Sequence, residues 1–405
     1  MTDAFVVGLG LHAFGKFPDT SMQDLARVAI RRCLADAGVE PDEVGAAYVA
    51  NCYHGFFTGQ HDAIGPLVFG YAGLNGMPMI HVAGGGAAGS VAFHEAVLAV
   101  KSGEYPLVLA VGVEKLFVPG DPAISIEAIS TSGEVSTATQ LGLTWVGDLT
   151  MSTHRLMERY GWTARDFAEV ASKNRAHAAA NPDAEWQREI SVDDVLAARM
   201  VAAPLTRPMC SSAAVDGAAA VLIAAPEVAA RIGGGRHPKV AAMGVVGARY
   251  ISNRVADERP GMLSMDEAAR SFGIAYEKAG LGPDDVELAQ LHDSIAPEEL
   301  LGYQVIGLCA PGDEGKLVQS GATRLGGRVP VNTDGGLLAR GHPIAASGVA
   351  QVVETTRQLR GSAGARQVLA AGGTRLPRVG AIQNAGAQGG PASGVAVSAA
   401  FLLTS

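Results

Sequence analysis

One pattern of apolar and polar positions occurs twice in this chain, and the two copies lie about 240 residues apart. Residues 21–44 and 264–286 each predict an amphipathic helix, an Ala-Gly stop, a Pro-Asp turn and a strand. The stop Ala37-Gly38 recurs as Ala279-Gly280, 242 residues later. A short apolar strand precedes each copy. The pattern therefore predicts two related βα halves.

A second pair of predicted elements supports this duplication. Helices are predicted at Gly89–Lys101 and Gly348–Leu359, and each follows a turn of small residues and ends near a glycine. The strands Leu107–Val111 and Val379–Gln383 would then close the sheet of each half. We expect α/β packing in which helices cover both faces of the sheets and the two halves share a central helix layer.

A more polar segment interrupts the first half. Residues 120–205 contain several short helical stretches, and an insertion of this kind commonly forms a lid or a ligand-binding flap. The alternative is an insertion that only packs against the rest of the fold and binds no ligand. The predicted division is 1–119 for the first half, 120–205 for the insertion, 206–237 for the return to the first half and 238–405 for the second half.

Composition narrows the classes of function. The formal net charge of -9 argues against nucleic acid as a partner. The sequence contains no apolar run long enough to cross a membrane and no signal peptide, so we expect no membrane span and a cytoplasmic location. The four cysteines form no Cys-x-x-Cys pair, which predicts no metal site.

Two loops of the second half carry candidate chemistry. His342 lies on the glycine-flanked turn before a predicted helix, where it could act as a base or donate to an oxyanion. His292-Asp293-Ser294 follows the predicted strand Val286–Leu291, at the position where α/β proteins bind ligands. By the repeat, Cys52 is the counterpart of Ser294, so two loops converge on one region. The alternatives are a turn histidine that binds a carbonyl and an ordinary surface pair.

These motifs resemble the thiolase superfamily, and most closely its sterol-carrier-protein type. The resemblance implies a thiolase fold, with five αβαβα layers made of two duplicated βα halves plus an inserted loop domain. It also implies a coenzyme A thioester as substrate and a homodimer formed through the first halves. The motifs that carry it are Gly112–Lys115, Val170–Asn174 with Asn181-Pro182, Asp216–Ala219, His292-Asp293, Leu300–Cys309, Asn332-x-x-Gly335-Gly336, Gly341-His342-Pro343 and Gln383-Asn384-x-Gly386.

The family implies roles for particular residues. His292 and His342 would bind the thioester oxygen, with no covalent cofactor and no metal. The insertion would hold coenzyme A, and His154 is its candidate contact. Further substrate contacts would come from the glycine-rich segments of the second half, at Asn332, Gly335, Gly336, Ser347, Asn384 and Gly386.

The sequence departs from the family at the nucleophile. The pattern Cys-x-x-Gly-x-x-Ala fits Gly86–Ala92 with Gly86 at the cysteine position. The family's second thiol is replaced by Ser294 in one alignment position and by Asn384 in the other. Serine titrates far above neutral pH and needs an activating base. The resemblance therefore does not support acyl transfer through a cysteine, and we expect Gly84 to Gly86 to leave volume for a bulky acyl chain.

Some thiolase-like proteins also lack the nucleophilic cysteine, and this chain resembles them in that respect. They act as aldolases on steroid side-chain coenzyme A thioesters, use tyrosines as acid/base groups and work with a small OB-fold zinc-ribbon partner. Tyr250 is the candidate tyrosine here, and a packing role at a strand edge is its alternative. Unlike those aldolases, this chain keeps the thiolase form at His292.

Three hypotheses on function remain open. The first is a carbon–carbon lyase of the retro-aldol type that stabilises an enolate without an acyl-cysteine. The second is a non-catalytic acyl-CoA-binding, lipid-binding or scaffold subunit. The third is an acetyl-CoA acetyltransferase-like acyltransferase with an unusual nucleophile. An open apolar cavity around Gly86, His292 and His342 would favour a large substrate, and a collapsed one would favour a non-catalytic role.

Overall fold

Two half-sheets with the same internal strand order form the frame of the protein. The computed structural model describes residues 2–133, 135, 142, 144–233, 235–247, 266–370, 372–388 and 395–405. Its strands are β1 (Phe5–Gly15), β2 (Ala46–Ala50), β3 (Met79–Val82), β4 (Leu107–Glu114), β5 (Met200–Ala202), β6 (Leu205–Thr206), β7 (Asp216–Ala224), β8 (Lys239–Gly247), β9 (Leu288–Gln290), β10 (Val379–Gln388) and β11 (Val395–Thr404).

The helices cover the faces of the sheet and form most of the inserted segment. They are α1 (Met22–Ala37), α2 (His54–Thr58), α3 (Ile64–Ala72), α4 (Ala88–Lys101), α5 (Pro122–Ser130), α6 (Trp145–Tyr160), α7 (Ala164–Ala179), α8 (Val192–Ala197), α9 (Pro226–Arg231), α10 (Asp266–Ala279), α11 (Ala296–Val305), α12 (Glu314–Gln319), α13 (Gly336–Ala339) and α14 (Ser347–Arg360).

The strand order repeats between the halves. In the first half it is β3-β2-β4-β7-β1, with β2 parallel to β3 and β4, and with β7 antiparallel to β4 and β1. In the second half β9, β10, β11 and β8 follow the same order with the same directions. Val331 pairs with Ala289 at the position that β3 occupies in the first half. The duplication inferred from the sequence is therefore confirmed.

The layers follow from which helices cover which face. The helices α4 and α14 contact strands of both halves and each other, so they form the central layer. The helix α1 packs on the outer face of the first half-sheet, and α10 packs on the outer face of the second. In the central core Phe93 of α4 packs edge to face against Phe401 of β11, with their ring centroids 5.1 Å apart. The expected αβαβα thiolase fold is confirmed.

The repeated helix ends have the predicted local cause. Ser21 caps α1 by accepting a hydrogen bond from the backbone N–H of Asp24. The helix stops at Gly38, which has a φ of 63°. Gly280 has the same left-handed conformation after α10, with a φ of 64°. Glycine adopts this conformation without a steric penalty, so both Ala-Gly stops end their helices as the pattern predicts.

Each central helix begins in a short turn that packs on a strand of the opposite half. The first helix-start turn, Gly85–Ala87, lies against β10, and the second, Ile344–Ala346, lies against β4. A Cβ atom at Gly386 would lie 2.2 Å from the backbone nitrogen of Ala87. A Cβ atom at Gly112 would lie 2.3 Å from the carbonyl oxygen of Ala345. Close backbone approach requires glycine at these two positions.

The polar insertion packs on the second half. Its helix α7 contacts α11, α12 and α13, and the chain then returns to the first half, where β7 lies between β1 and β4. The exact boundaries at 119, 205 and 237 remain a prediction. None of the described helices has the length and apolarity that a membrane span requires. The cytoplasmic location likewise stays a prediction.

The first testable prediction concerns the contact between the first helix-start turn and β10. Gly386→Ala should lower the free energy of unfolding by about 1–3 kcal/mol, because the added methyl group overlaps backbone atoms that move only with the whole turn. Gly70→Ala is the control, since the Gly70 Cβ position in α3 is open and alanine is the better helix former there. Denaturant unfolding measures both variants. Equal stability of the two would contradict the close contact.

Candidate functional site

Two histidines predicted from separate loops meet in the folded chain. His292 follows β9, and His342 lies just before the second helix-start turn. Their ring centroids are 5.4 Å apart and the ring planes are nearly perpendicular, at 87°. The exposed fractions are only 5% and 4%. The structure thus brings this predicted pair together in a buried site.

A chain of amide hydrogen bonds fixes the orientation and tautomer of His292. The Nε2 atom of Gln351 donates to the carbonyl oxygen of Gln383, so Gln351 Oε1 accepts from Asn384 Nδ2. The same Asn384 amide nitrogen donates to His292 Nδ1, 3.1 Å away. Because Nδ1 accepts, the neutral ring carries its proton on Nε2. Asn384, predicted as a substrate contact, therefore orients a histidine.

The other histidine is held by the start of the central helix. His342 Nδ1 lies 2.7 Å from the hydroxyl oxygen of Ser347, the first residue of α14. When this hydroxyl donates, the His342 proton is on Nε2 as well. Ser347, also predicted as a substrate contact, is a partner of His342 in the described structure.

Burial keeps both rings uncharged. It lowers the pKa of His292 to about 3, and the positive charge of Arg340 adds to the effect. Burial lowers the pKa of His342 as well, with further contributions from His292 and Arg340. Neutral imidazoles with a protonated Nε2 are hydrogen-bond donors at neutral pH. The pair can therefore stabilise a developing oxyanion.

A buried polar network anchors the loop that carries His292. The carboxylate of Asp293 accepts from the backbone N–H of Leu337 at 2.7 Å and from the amide of Asn174 at 2.8 Å. Beside it, Lys173 and Glu299 form a fully buried ion pair at 2.7 Å. The family motif at residues 170–174 thus fastens the insertion to the loop that carries His292.

Three predicted substrate contacts belong to the same anchoring region. Asn332 donates to Glu299 at 2.7 Å and accepts from the backbone N–H of Leu291 at 2.8 Å. A Cβ atom at Gly336 would lie 2.3 Å from the Asp293 carboxylate, and one at Gly335 would lie 2.5 Å from the Ala178 side chain. These contacts explain the residues by packing, and a role in substrate binding stays a prediction.

The position that the resemblance aligns with the nucleophile is tightly packed. Gly86 lies in the first helix-start turn, and a Cβ atom there would be 2.6 Å from the carbonyl oxygen of Ala385 and 2.9 Å from His292 Cε1. The expectation that this glycine leaves volume for an acyl chain is therefore wrong at Gly86, because β10 fills the space. At Gly84 the nearest atom would be 3.5 Å away, which is an ordinary van der Waals contact.

Cys52 approaches the same turn from the first half. Its thiol lies 3.5 Å from the carbonyl oxygen of Gly85, so the Cys52 loop contacts the first helix-start turn. Convergence of this loop with the Ser294 loop stays a prediction. Burial raises the pKa of this thiol to about 12, and the negative charge of Glu114 adds to the shift. A thiol that stays protonated at neutral pH is a weak nucleophile.

A buried carboxyl group, that of Glu298, lies beside Ser294 and was not predicted from the sequence. The hydroxyl group of Ser294 donates to Oε2 of Glu298, and the backbone N–H of Ile295 donates to the same oxygen at 3.2 Å. Both side chains are buried. The spacing of four residues across the start of α11 is the signal that could have indicated this pair.

The remaining predicted residues do not join the histidine pair. His154 lies exposed on α6, where its Nε2 atom is 2.8 Å from the carbonyl oxygen of Ala203. Tyr250 lies outside the residues that the structure describes. Gly386 contacts the first helix-start turn, as given above. In the described ranges no group of three or more His, Cys, Asp and Glu side chains is arranged to hold a metal ion.

The second testable prediction concerns the state of His292. Nitrogen-15 NMR of histidine-labelled protein should show His292 neutral and protonated on Nε2 from pH 8 to pH 5, where an unperturbed histidine with a pKa of about 6.5 becomes charged. Asn384→Asp should move the proton to Nδ1, because a carboxylate accepts where the amide donates. Asn181→Asp is the control, since Asn181 donates to the carbonyl oxygen of Asp334 instead. A titrating His292, or one protonated on Nδ1 before substitution, would contradict the site geometry.

Comparison with known families agrees with the fold. Residues 4–227 match the N-terminal domain of thiolase, and residues 248–388 match a thiolase C-terminal domain-like model. A solved chain described as the Ltp2-ChsH2(DUF35) aldolase superposes with a TM-score of 0.79, over 100% of this chain and 98% of that one. Its sequence identity of 24% makes this a likeness of fold alone.

Relatives of known sequence are similar over most of the chain. An acetyl-CoA acetyltransferase of Methanothermobacter thermautotrophicus is 34% identical, over 97% of this chain and 98% of its own length. Sterol carrier protein 2 of Bos taurus is 32% identical, over 90% of this chain and 67% of its own length. The benzoylsuccinyl-CoA thiolase subunit BbsB of Thauera aromatica is 33% identical, over 90% and 91%. The chain belongs to the thiolase family.

Proposed function

We propose that this protein acts on acyl-CoA thioesters and cleaves a carbon–carbon bond by a retro-aldol route, without an acyl-cysteine. The observation that carries the proposal is the buried pair of neutral histidines, His292 and His342, beside a turn with no nucleophile at Gly86. A site of this kind favours an enolate over its neutral precursor. Retro-aldol cleavage of a 3-hydroxyacyl-CoA needs that stabilisation and no covalent intermediate.

The steps of the proposed reaction balance without a further reactant. A base removes the proton of the substrate 3-hydroxyl group, and the electrons of that O–H bond form the new carbonyl group. The bond between C2 and C3 breaks, and its electron pair enters the thioester enolate. The Nε2–H groups of His292 and His342 stabilise the enolate oxygen, and a proton returned to C2 completes a shortened acyl-CoA.

The chemistry near Gly86 weighs against the acyltransferase alternative. Cys52 is the cysteine closest in contact to the turn, and burial holds the pKa of its thiol near 12. Its hydrogen bond to Gly85 also directs the thiol at a backbone carbonyl. The relative named as an acetyltransferase gives no reason by itself to assign acetyl transfer here, because residue 86 of this chain is glycine.

A second candidate function has its own support. The two histidines are almost fully buried, and the carbonyl oxygen of Ala385 fills the side-chain position of Gly86. A closed site of this kind is what a non-catalytic acyl-CoA-binding, lipid-binding or scaffold subunit would show. Binding of an acyl-CoA without turnover would support this candidate.

The proposal extends to partners. The aldolase that shares the fold is described together with a DUF35 protein, so an OB-fold zinc-ribbon partner is the one we propose for this chain. We also propose a homodimer through the first half. β3 is the edge strand of its half-sheet in the described structure, and Ile80 on β3 and Leu98 on α4 are 37% and 38% exposed. Apolar side chains on an open strand edge favour pairing with a second chain.

The third testable prediction concerns this edge. Ile80→Asp should shift the protein from dimer to monomer, because a charge at the edge must lose its water in the paired form. Light scattering coupled to gel filtration measures the mass. Leu369→Asp is the control, since Leu369 is an exposed apolar residue of the second half. A dimer that survives Ile80→Asp, or a monomeric parent protein, would contradict the proposed interface.

The fourth testable prediction concerns turnover. The purified protein, alone and with any OB-fold zinc-ribbon protein encoded beside it, should convert a 3-hydroxyacyl-CoA to a shortened acyl-CoA and an aldehyde or ketone. Mass spectrometry of the coenzyme A esters measures the products over a panel from 3-hydroxyhexanoyl-CoA to steroid side-chain esters. His292→Ala and His342→Ala should each lower kcat by roughly 10²–10³, as for loss of one oxyanion donor.

The control for that experiment is His237→Ala, because His237 bonds only to the carbonyl oxygen of Ile232 among the described contacts. It should keep the parent kcat. Saturable binding of the panel without turnover would overturn the lyase proposal and favour the non-catalytic subunit. Unchanged kcat in both site variants would overturn the role of the histidine pair.

A further inference from the structure

We propose that Ser294 and Glu298 form the proton-transfer pair of this site, with Ser294 facing the substrate and Glu298 acting through it as a positioning residue and proton acceptor. The inference rests on the proposed carbon–carbon cleavage and supplies the base that this reaction needs. It also answers the objection that a serine in the place of the family's thiol is too weak an acid unless a base activates it.

Ser294 and His292 belong to the same short loop. Ser294 lies two residues after His292, so their Cα atoms are at most about 7 Å apart. Asp293, the residue between them, is held by α7 and α13 through Asn174 and Leu337. The loop is therefore fixed on one side, and its two flanking side chains make different contacts, His292 with Asn384 and Ser294 with Glu298. The 3-hydroxyl group of a substrate held by His292 lies only three bonds from the thioester carbon.

The carboxylate has the properties of a proton carrier. Burial raises the pKa of Glu298 to about 7, against the opposing effect of the hydrogen bonds from Ser294 and Ile295. A group with that pKa is present in both protonation states near neutral pH, which suits general acid–base catalysis. The neighbouring carboxylates of Asp293 and Glu299 are engaged with Asn174 and Lys173 on α7. These two carboxylates therefore have hydrogen-bond partners other than Ser294 and Glu298.

The duplication supplies an internal comparison. Cys52 occupies the place of Ser294 in the first half, but the residue four positions later is Phe56 rather than a carboxylate. The Cys52 thiol contacts the carbonyl oxygen of Gly85 instead. The hydroxyl–carboxylate pair thus occurs in the half that carries both histidines, and not at the equivalent loop of the other half.

The proton balance of the proposed step closes on the pair. As C2–C3 breaks, the oxygen of Ser294 takes the proton of the substrate 3-hydroxyl group, and its own proton passes to the Glu298 carboxylate. The enolate formed at the histidines then takes a proton at C2 from Ser294, which recovers one from Glu298. The pair ends in its starting state, and no oxidant, reductant or water is consumed.

Helix capping is the structural alternative for Glu298. As the third residue of α11 it accepts from the backbone N–H of Ile295, which is a capping-box contact. That contact needs an oxygen acceptor but no charge. Glu298→Gln keeps an oxygen acceptor for the cap but cannot take up and return a proton near neutral pH, so this substitution separates the two roles. Asp166→Asn is the matched control, because Asp166 accepts from the hydroxyl and N–H of Thr163 in the capping box of α7.

The fifth testable prediction uses two reactions of the full chain. One is cleavage of 3-hydroxyhexanoyl-CoA, and the other is exchange of the C2 hydrogens of hexanoyl-CoA in heavy water, both measured by mass spectrometry. Glu298→Gln and Ser294→Ala should each lower both rates by about 100-fold, at the low end for a general acid–base group, with little change in KM. Asp166→Asn should lower the unfolding midpoint and leave both reaction rates at the parent level.

The outcomes separate this inference from the function on which it rests. C2 exchange without cleavage in the parent protein, lost in Glu298→Gln, would support the pair and overturn the lyase. Parent rates in a folded Glu298→Gln and in Ser294→Ala would overturn the pair and leave the lyase standing. A parent protein that catalyses neither reaction would overturn both. Ser294→Ala leaves the Ile295 contact intact, so it decides the matter if Glu298→Gln is unstable.

Discussion

The close contact between the first helix-start turn and β10 is the constraint on which the rest of the site depends. The turn belongs to the first half and the strand to the second, and Gly386 permits their backbones to touch. The same end of β10 holds the loop of His292, because Gln383 accepts from the backbone N–H of His292 and Asn384 donates to its ring. One strand end therefore positions both the turn and the histidine, and it joins two homologous halves into one site.

The contacts that hold the helix-start turns differ between the two halves. The sheet registers place Glu114 of β4 where β10 has Gly386. Glu114 accepts from the backbone N–H groups of Cys52 and Tyr53 and from that of Ala345 in the second helix-start turn. Burial raises its pKa to about 8. The second helix-start turn is thus held by a buried carboxyl group as well as by backbone contact at Gly112, whereas the first is held by backbone contact at Gly386.

Much of this organisation could be predicted from the sequence, because it depends on local patterns. The repeated Ala-Gly stops, the amphipathic helices and the buried strands predicted two related βα halves. His342 was recognisable from its glycine-flanked turn before a helix, and the polar loop at His292 from its position after a strand. Long-range contacts could not be predicted in the same way. Ala385 fills the space at Gly86 from the other half of the chain, so the volume expected there is absent.

The roles of several residues also depend on contacts that local sequence patterns do not reveal. The fold turns Asn384 and Ser347 toward the histidine rings, and their predicted contact with the substrate stays a prediction. For Glu298 the four-residue spacing from Ser294 was the only sequence signal, and its burial and its hydrogen bond from the Ser294 hydroxyl group became evident from the structure. His154, expected near coenzyme A, lies exposed on α6.

The central claim is that this thiolase-family site handles acyl-CoA without a covalent intermediate. The most direct measurement is the intact mass of the protein, quenched in acid during incubation with a 3-hydroxyacyl-CoA, taken together with the mass of the coenzyme A esters in the same sample. The account predicts an unmodified protein mass while a shortened acyl-CoA accumulates. A protein mass increased by the acyl group, located on Cys52 or on any other residue, would contradict it.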